Sequence, residues 1–185
     1  MKMLEIEVKI KMPHEMMKRD LIQNGAQYMG TEHQRDTYFN APDRDFSKTD
    51  EALRIRSIDG KGEITYKGKR LDTVSKTRPE FNSPVDEKTM AEILKALGFF
   101  ESGSVIKSRE IYNWDGFFIG LDTVEELGEF VEIESALKNA DRQTIQNETD
   151  RIFQFLKKYN IAKEDSIKTS YLEMVLEAKE RKGKL

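Results

Sequence analysis

With 185 residues the chain has the length of one domain that buries its own core, and its 35% of charged residues exceeds the roughly 25% of an average globular chain. The 31 Lys and Arg against 34 Asp and Glu leave a net charge of −3, which excludes the broad basic field of a nucleic-acid binder. Cysteine is absent, excluding disulfides, thiolate metal sites and cysteine nucleophiles, and no apolar run approaches the ~18 residues of a membrane span. The expectation is a soluble, unprocessed cytoplasmic protein, one domain over residues 1–185, with neither nucleic acid nor membrane as a partner.

Period-2 alternation predicts a first strand over Leu4 to Lys11, with Leu4, Ile6, Val8 and Ile10 on one face and Glu5, Glu7 and Lys9 on the other. A helix follows Pro13, carries Met16, Met17, Leu21 and Ile22 on one side, and ends at Gly25. Asp36 to Asn40 adds a short strand. Ala52 to Ser57 and Glu63 to Gly68 flank a hairpin turn in Asp59-Gly60-Lys61-Gly62, since glycine tolerates the positive φ such turns require. Arg54 and Arg56 there oppose Leu53 and Ile55, and Glu63, Thr65 and Lys67 oppose Ile64 and Tyr66. Lys76 to Phe81 places Arg78 and Glu80 on one face, and Pro79 marks an edge or a bulge.

A second helix opens near Asp86, carries Met90, Ile93, Leu94 and Leu97, and stops at Gly98. Strands over Val105 to Ile111 and Phe117 to Asp122 flank a turn in Trp114-Asp115-Gly116, with Lys107 and Arg109 sharing one face. Phe118, Gly120 and Asp122 share a face of the second of these, opposite Phe117, Ile119 and Leu121. Phe130 to Ser135 opposes Val131 and Ile133 to Glu132 and Glu134. A third helix spans about Asp141 to Tyr159, and a last runs from near Ser170 through Leu172, Val175 and Leu176. This order predicts an α+β fold with a mostly antiparallel sheet.

For any one strand, an open sheet with a wet face accounts for the alternation. The repetition does not fit that account, because two Glu-x-Glu pairs and two basic-x-basic pairs would set like charges side by side on open surface. If the faces converge, the interior holds six acids (Glu5, Glu7, Glu80, Asp122, Glu132, Glu134) and seven bases (Lys9, Arg54, Arg56, Lys67, Arg78, Lys107, Arg109). Carboxylates offer hard oxygen ligands to Mg²⁺ or Mn²⁺, and Arg and Lys offer donors to phosphate oxygens. Two divalent ions would bring this interior to about +5, which a triphosphate of about −4 nearly neutralises. The apolar faces then point outward under the amphipathic helices, giving a closed β-barrel with a charged, hydrated tunnel. His14 and His33 stand alone without metal-ligand spacing and are assigned to surface or loop.

These residues resemble the CYTH, or triphosphate tunnel metalloenzyme, superfamily, and its class IV adenylyl cyclase branch in particular. Glu5-Ile6-Glu7-Val8-Lys9 matches its Glu-x-Glu-x-Lys signature. Ala52 to Arg56, Tyr66-Lys67, Lys107-Ser108-Arg109, Leu121 to Val124 and Leu127 to Glu134 follow in the family's order along essentially the whole chain. The resemblance implies that Glu5, Glu7, Glu132 and Glu134 hold two Mg²⁺ or Mn²⁺ ions with Asp122 assisting. It implies that Lys9, Arg54, Arg56, Lys67, Lys107 and Arg109 bind the triphosphate; Arg78 fits the same face, as an alternative to an ion pair with Glu80. Tyr38 and Tyr171 fall in family-like segments and serve equally well as packed aromatics. The implied activity is cyclisation of ATP to cyclic AMP and pyrophosphate. The alternatives are hydrolysis of thiamine, inorganic or nucleoside triphosphate, with Lys9 as a proton acceptor, and binding of polyphosphate or nucleotide without turnover. A homodimer is compatible with these residues but not required by them.

Overall fold

The structure, a computed structural model, describes residues 3–70, 78–138 and 140–183. Its strands are β1 (Met3–Lys11), β2 (Gln27–Asn40), β3 (Ala52–Ile58), β4 (Lys61–Lys67), β5 (Arg78–Val85), β6 (Phe100–Trp114), β7 (Phe117–Val124) and β8 (Gly128–Lys138). They close into a barrel in the order β1-β5-β4-β3-β2-β6-β7-β8, and every pairing is antiparallel. The expected closed α+β barrel is therefore present. Both expected hairpins turn through two residues of positive φ, Asp59 (48°) with Gly60 (81°) and Asp115 (52°) with Gly116 (80°), the backbone of a type I′ turn.

The sequence understates two strands. β2 begins at Gln27, well before Asp36, because its first half is mostly exposed and polar, so no apolar alternation marks it. β6 likewise extends beyond Val105 to Ile111 at both ends. The first two residues of the expected strand over Lys76 to Phe81 lie outside the described residues. Pro79 sits on β5 beside β1, where the pairs among the described residues are Leu4 with Pro79 and Glu5 with Arg78.

The helices are α1 (His14–Gln23), α2 (Phe46–Thr49), α3 (Glu87–Ala96), α4 (Arg142–Leu156) and α5 (Tyr171–Gly183). Asp86 and Asp141 cap α3 and α4 by accepting from the backbone N–H of Thr89 and Thr144, each at 2.8 Å. His33 is exposed on β2, whereas His14 opens α1 half-buried with its Nε2 2.8 Å from the Phe130 carbonyl oxygen.

Outward-facing Ile6, Val8, Ile10, Ile119, Leu121, Val131 and Ile133 pack under Met17 and Leu21 of α1 and Ile152, Phe153 and Leu156 of α4. A second core joins Phe39, Leu53 and Ile55 to Phe46 of α2 and Leu94 of α3. A third core differs in kind. By strand alternation Val105, Val124 and Phe130 share the inward face with Lys107, Asp122 and Glu132, and they pack on Tyr171 and Val175 of α5. The barrel interior is thus layered, with an apolar tier under α5 beside a charged tier. No helix among the described residues is long and apolar enough to cross a membrane.

Candidate active site

A cavity of about 490 Å³ runs into the barrel, lined among others by Glu5, Glu7 and Lys9 from β1, Arg54 and Arg56 from β3, and Lys107 and Arg109 from β6. Lys67, Arg78, Glu80, Glu132 and Glu134 also line it. Every sequence-nominated cation and acid is brought to this cavity except Asp122, which lies behind the lining and is fully buried.

The register explains how so much charge is tolerated. Acid–base pairs stand directly across neighbouring strands, among them four that share no strand with one another: Lys9 with Glu132, Arg56 with Asp36, Lys67 with Glu80, and Arg109 with Asp122. Each pair occupies its own two strands, so the four together use all eight around the barrel. A buried charge is costly unless paired, and cross-strand placement supplies the partner from the backbone geometry itself. The contacts run from 2.6 Å (Lys67 to Glu80, Arg56 to Asp36, Arg109 to Asp122) to 4.0 Å (Lys9 to Glu132).

Two of these pairs are forks built alike. Arg109 donates to Asp122 through Nε (2.6 Å) and Nη2 (2.7 Å), and Lys107, two residues earlier, donates to Asp122 at 2.9 Å. Arg56 donates to Asp36 through Nε (2.6 Å) and Nη2 (2.7 Å), and Arg54, two residues earlier, reaches Asp36 at 3.4 Å. The bidentate arginine is the stronger half of each fork. The arginines hold the Asp36 carboxyl far below the usual carboxylate range, against burial that alone would raise it. Burial, together with the neighbouring Arg109, lowers the Lys107 pKa. Arg109 also bonds Glu134 (2.8 Å) and Glu132, and its chain lies across Gly120, where a Cβ would sit 2.9 Å from Nε. Tyr171 enters from α5, donating to Asp122 at 2.9 Å with its ring 4.1 Å from the Lys9 ammonium.

The acidic wall is formed by β1 and β8, where Glu7 faces Glu134 directly and Glu132 lies one inward position beyond. Like charges placed opposite one another are unfavourable without a shared cation. Burial first, then the nearby Glu80 and Glu134 carboxylates, push Glu5 well above the usual range, against the pull of Lys67. Hard oxygen donors crowded on one wall fit a divalent ion in chemistry. Among the described residues no three carboxylates already converge as a preformed cage.

Sequence reasoning missed Asp36, Glu63 and Thr65 as members of this interior. Asp36 and Thr65 are buried, at 2% and 0% exposure, and all three line the cavity. The signal for Glu63 and Thr65 was their shared face with Lys67; for Asp36 it was the face it shares with Tyr38 in the expected strand Asp36 to Asn40, whose two faces were not sorted. With them the interior acids outnumber the bases.

The CYTH domain profile matches residues 3–171. A Methanocaldococcus jannaschii protein named as a candidate adenylate cyclase is 39% identical over 178 residues, covering 93% of this chain and 98% of that one. A solved Pyrococcus horikoshii protein is 37% identical with a TM-score of 0.83, covering 94% of this chain and 98% of its own. A Hippeastrum protein, described as a candidate adenylyl cyclase with a dominant triphosphatase activity, shares the fold at 20% identity and a TM-score of 0.65, covering 99% of this chain and 97% of its own. A barrel closed around cross-strand acid–base pairs and a profile matched along nearly all of its strands and helices lead to one assignment: the chain belongs to the CYTH domain family.

Proposed function

We propose that the protein is a divalent-metal-dependent enzyme that takes a triphosphate into the barrel and cyclises ATP to cyclic AMP and pyrophosphate. The observation that carries this reading is the division of the cavity into an acidic wall, on β1 and β8, and basic pairs on β3 and β6. The name of the Methanocaldococcus relative supports cyclisation over other triphosphate chemistry.

In this reading Glu5, Glu7, Glu132 and Glu134 would hold Mg²⁺ or Mn²⁺, two ions by charge, which would supply Lewis acidity toward the attacking hydroxyl and the leaving group. Lys9, Arg54, Lys67, Arg78, Lys107 and Arg109 neutralise the phosphates. Asp122 serves by holding Lys107, Arg109 and Tyr171, since its oxygens already accept from all three. The ribose 3′-oxygen attacks the α-phosphorus, its proton passes to solvent, and the bond from the α-phosphorus to the bridging oxygen breaks to release pyrophosphate.

A second reading, hydrolysis of the terminal phosphoryl group, is favoured by the activity described for the Hippeastrum protein. Purified protein incubated with ATP, thiamine triphosphate and inorganic triphosphate, each with Mg²⁺ or Mn²⁺, separates the two. Cyclic AMP with pyrophosphate supports cyclisation. Orthophosphate with a diphosphate replaces it by the second reading, and no turnover of any substrate overturns both.

A further inference from the structure

The two basic pairs of the cavity are built alike but are not equally spent. Arg56 gives Nε and Nη2 to Asp36 at 2.6 and 2.7 Å, a fork that fixes its plane and consumes its best-placed donors. Arg54 reaches the same carboxylate through Nη1 at 3.4 Å and meets Tyr38 directly across β2, while its buried Nε has no hydrogen-bond partner among the described residues. Across β4, directly opposite Arg54, stands Thr65, whose buried hydroxyl is likewise without a partner. A buried donor left unmade costs about 1–3 kcal/mol, a cost recovered where a ligand supplies the acceptor. Asp36 itself is 2% exposed, its oxygens accept from both arginines, and the nearby Lys107 charge also acts on it.

We propose that Asp36 is a positioning residue that divides this arginine pair, locking Arg56 as a strut and aiming Arg54, beside Thr65, at a phosphoryl oxygen of the substrate. The inference rests on the reading of the cavity as a triphosphate site. It ranks the two arginines, which the spacing of Arg54-Ile55-Arg56 leaves equivalent. Simple charge counting expects the opposite of Asp36: removing a carboxylate from a cavity that takes a polyanion should tighten binding. Positioning expects turnover to fall instead, because guanidinium placement matters more than net charge in a pre-organised site.

The test measures binding of inorganic triphosphate by calorimetry, and KM and kcat on whichever triphosphate the full-length protein turns over, with unfolding followed in parallel. Asp36→Asn, close to isosteric, is expected to lower kcat at least about tenfold without lowering KM. In an Arg54→Met background the same change is expected to cost less than about twofold, because its effect passes through Arg54. Independently of how Asp36 variants fold, Arg54→Lys is expected to weaken triphosphate binding at least about tenfold and Arg56→Lys by less than about threefold. Tighter binding with unchanged kcat in Asp36→Asn, a penalty that persists without Arg54, or equal losses in the two lysine variants overturns the proposal while the triphosphate site stands. No binding of inorganic triphosphate by the wild-type protein removes the site and the proposal together.

Discussion

Gly120→Ala tests the geometry of the cavity through a single methyl group. Gly120 lies on β7 between Ile111 of β6 and Glu132 of β8, and its φ is not positive, so its backbone accepts alanine without strain. With space around it, such a change would stabilise the protein by about 0.4–1 kcal/mol through the unfolded chain. Here the new Cβ would lie 2.9 Å from Arg109 Nε, 3.0 Å from Cζ and 3.3 Å from Cδ. These are mid-chain atoms of a side chain tied at its end to Asp122, Glu132 and Glu134, so they cannot retreat freely. Overpacking costs about 1–3 kcal/mol, and loss of one charge-assisted bond about 1.5–3 kcal/mol more. At about 2–4 °C per kcal/mol for a chain of this size, Tm should fall by roughly 5–20 °C. Circular-dichroism melting and triphosphate turnover check this, with turnover expected to fall at least about tenfold because Arg109 leaves its place. A Tm equal to or above wild type with normal turnover would refute the account of Arg109 lying across β7.

Glu132→Gln, which keeps size and removes charge from the acidic wall opposite Lys9, is expected to abolish metal-dependent turnover; near-normal rates would sink its assignment as a metal ligand. Tyr171→Phe keeps the ring over Lys9 and removes the bond to Asp122, and should cost about 1–2 kcal/mol in chemical denaturation. For pH, the folded-state pKa of Asp36 is depressed, so its contribution is fully present above the unfolded value of about 3.9 and is lost as pH falls toward the folded value. The stability gap between wild type and Asp36→Asn should therefore be widest above about pH 5 and narrow below about pH 4, read from melts across that range. A gap that widens on acidification contradicts the ion-pair account.

What could be read from sequence followed from alternation. In β1, β3 and β8 charged residues alternate with apolar ones along the middle of the strand, and there the faces, and so the cavity residues, were assigned correctly from the chain alone. β2 hid its first half because that half is largely solvated, and Asp36, although it opened the expected strand Asp36 to Asn40, was missed because the faces of so short a segment were not sorted. Register was the larger gap. The pairing of Lys9 with Glu132, or of Arg56 with Asp36, depends on which strands meet and at what offset, and residues 123 or 20 positions apart carry no local mark of that. The same holds for the third core, since the inward turn of Val105, Val124 and Phe130 becomes legible only once α5 is seen against them.

The cross-strand ion pairs have a second consequence, for assembly of the wall itself. Side chains alternate with a period of two, so a slip of one residue between paired strands would turn one partner out of the interior and leave the other buried alone. A buried charge stripped of its partner is strongly destabilising, by about 3–5 kcal/mol. Lys9 with Glu132, Arg56 with Asp36, Lys67 with Glu80 and Arg109 with Asp122 place one such key on every strand of the barrel. The charges that make the interior receptive therefore also proofread the alignment of the strands that enclose it.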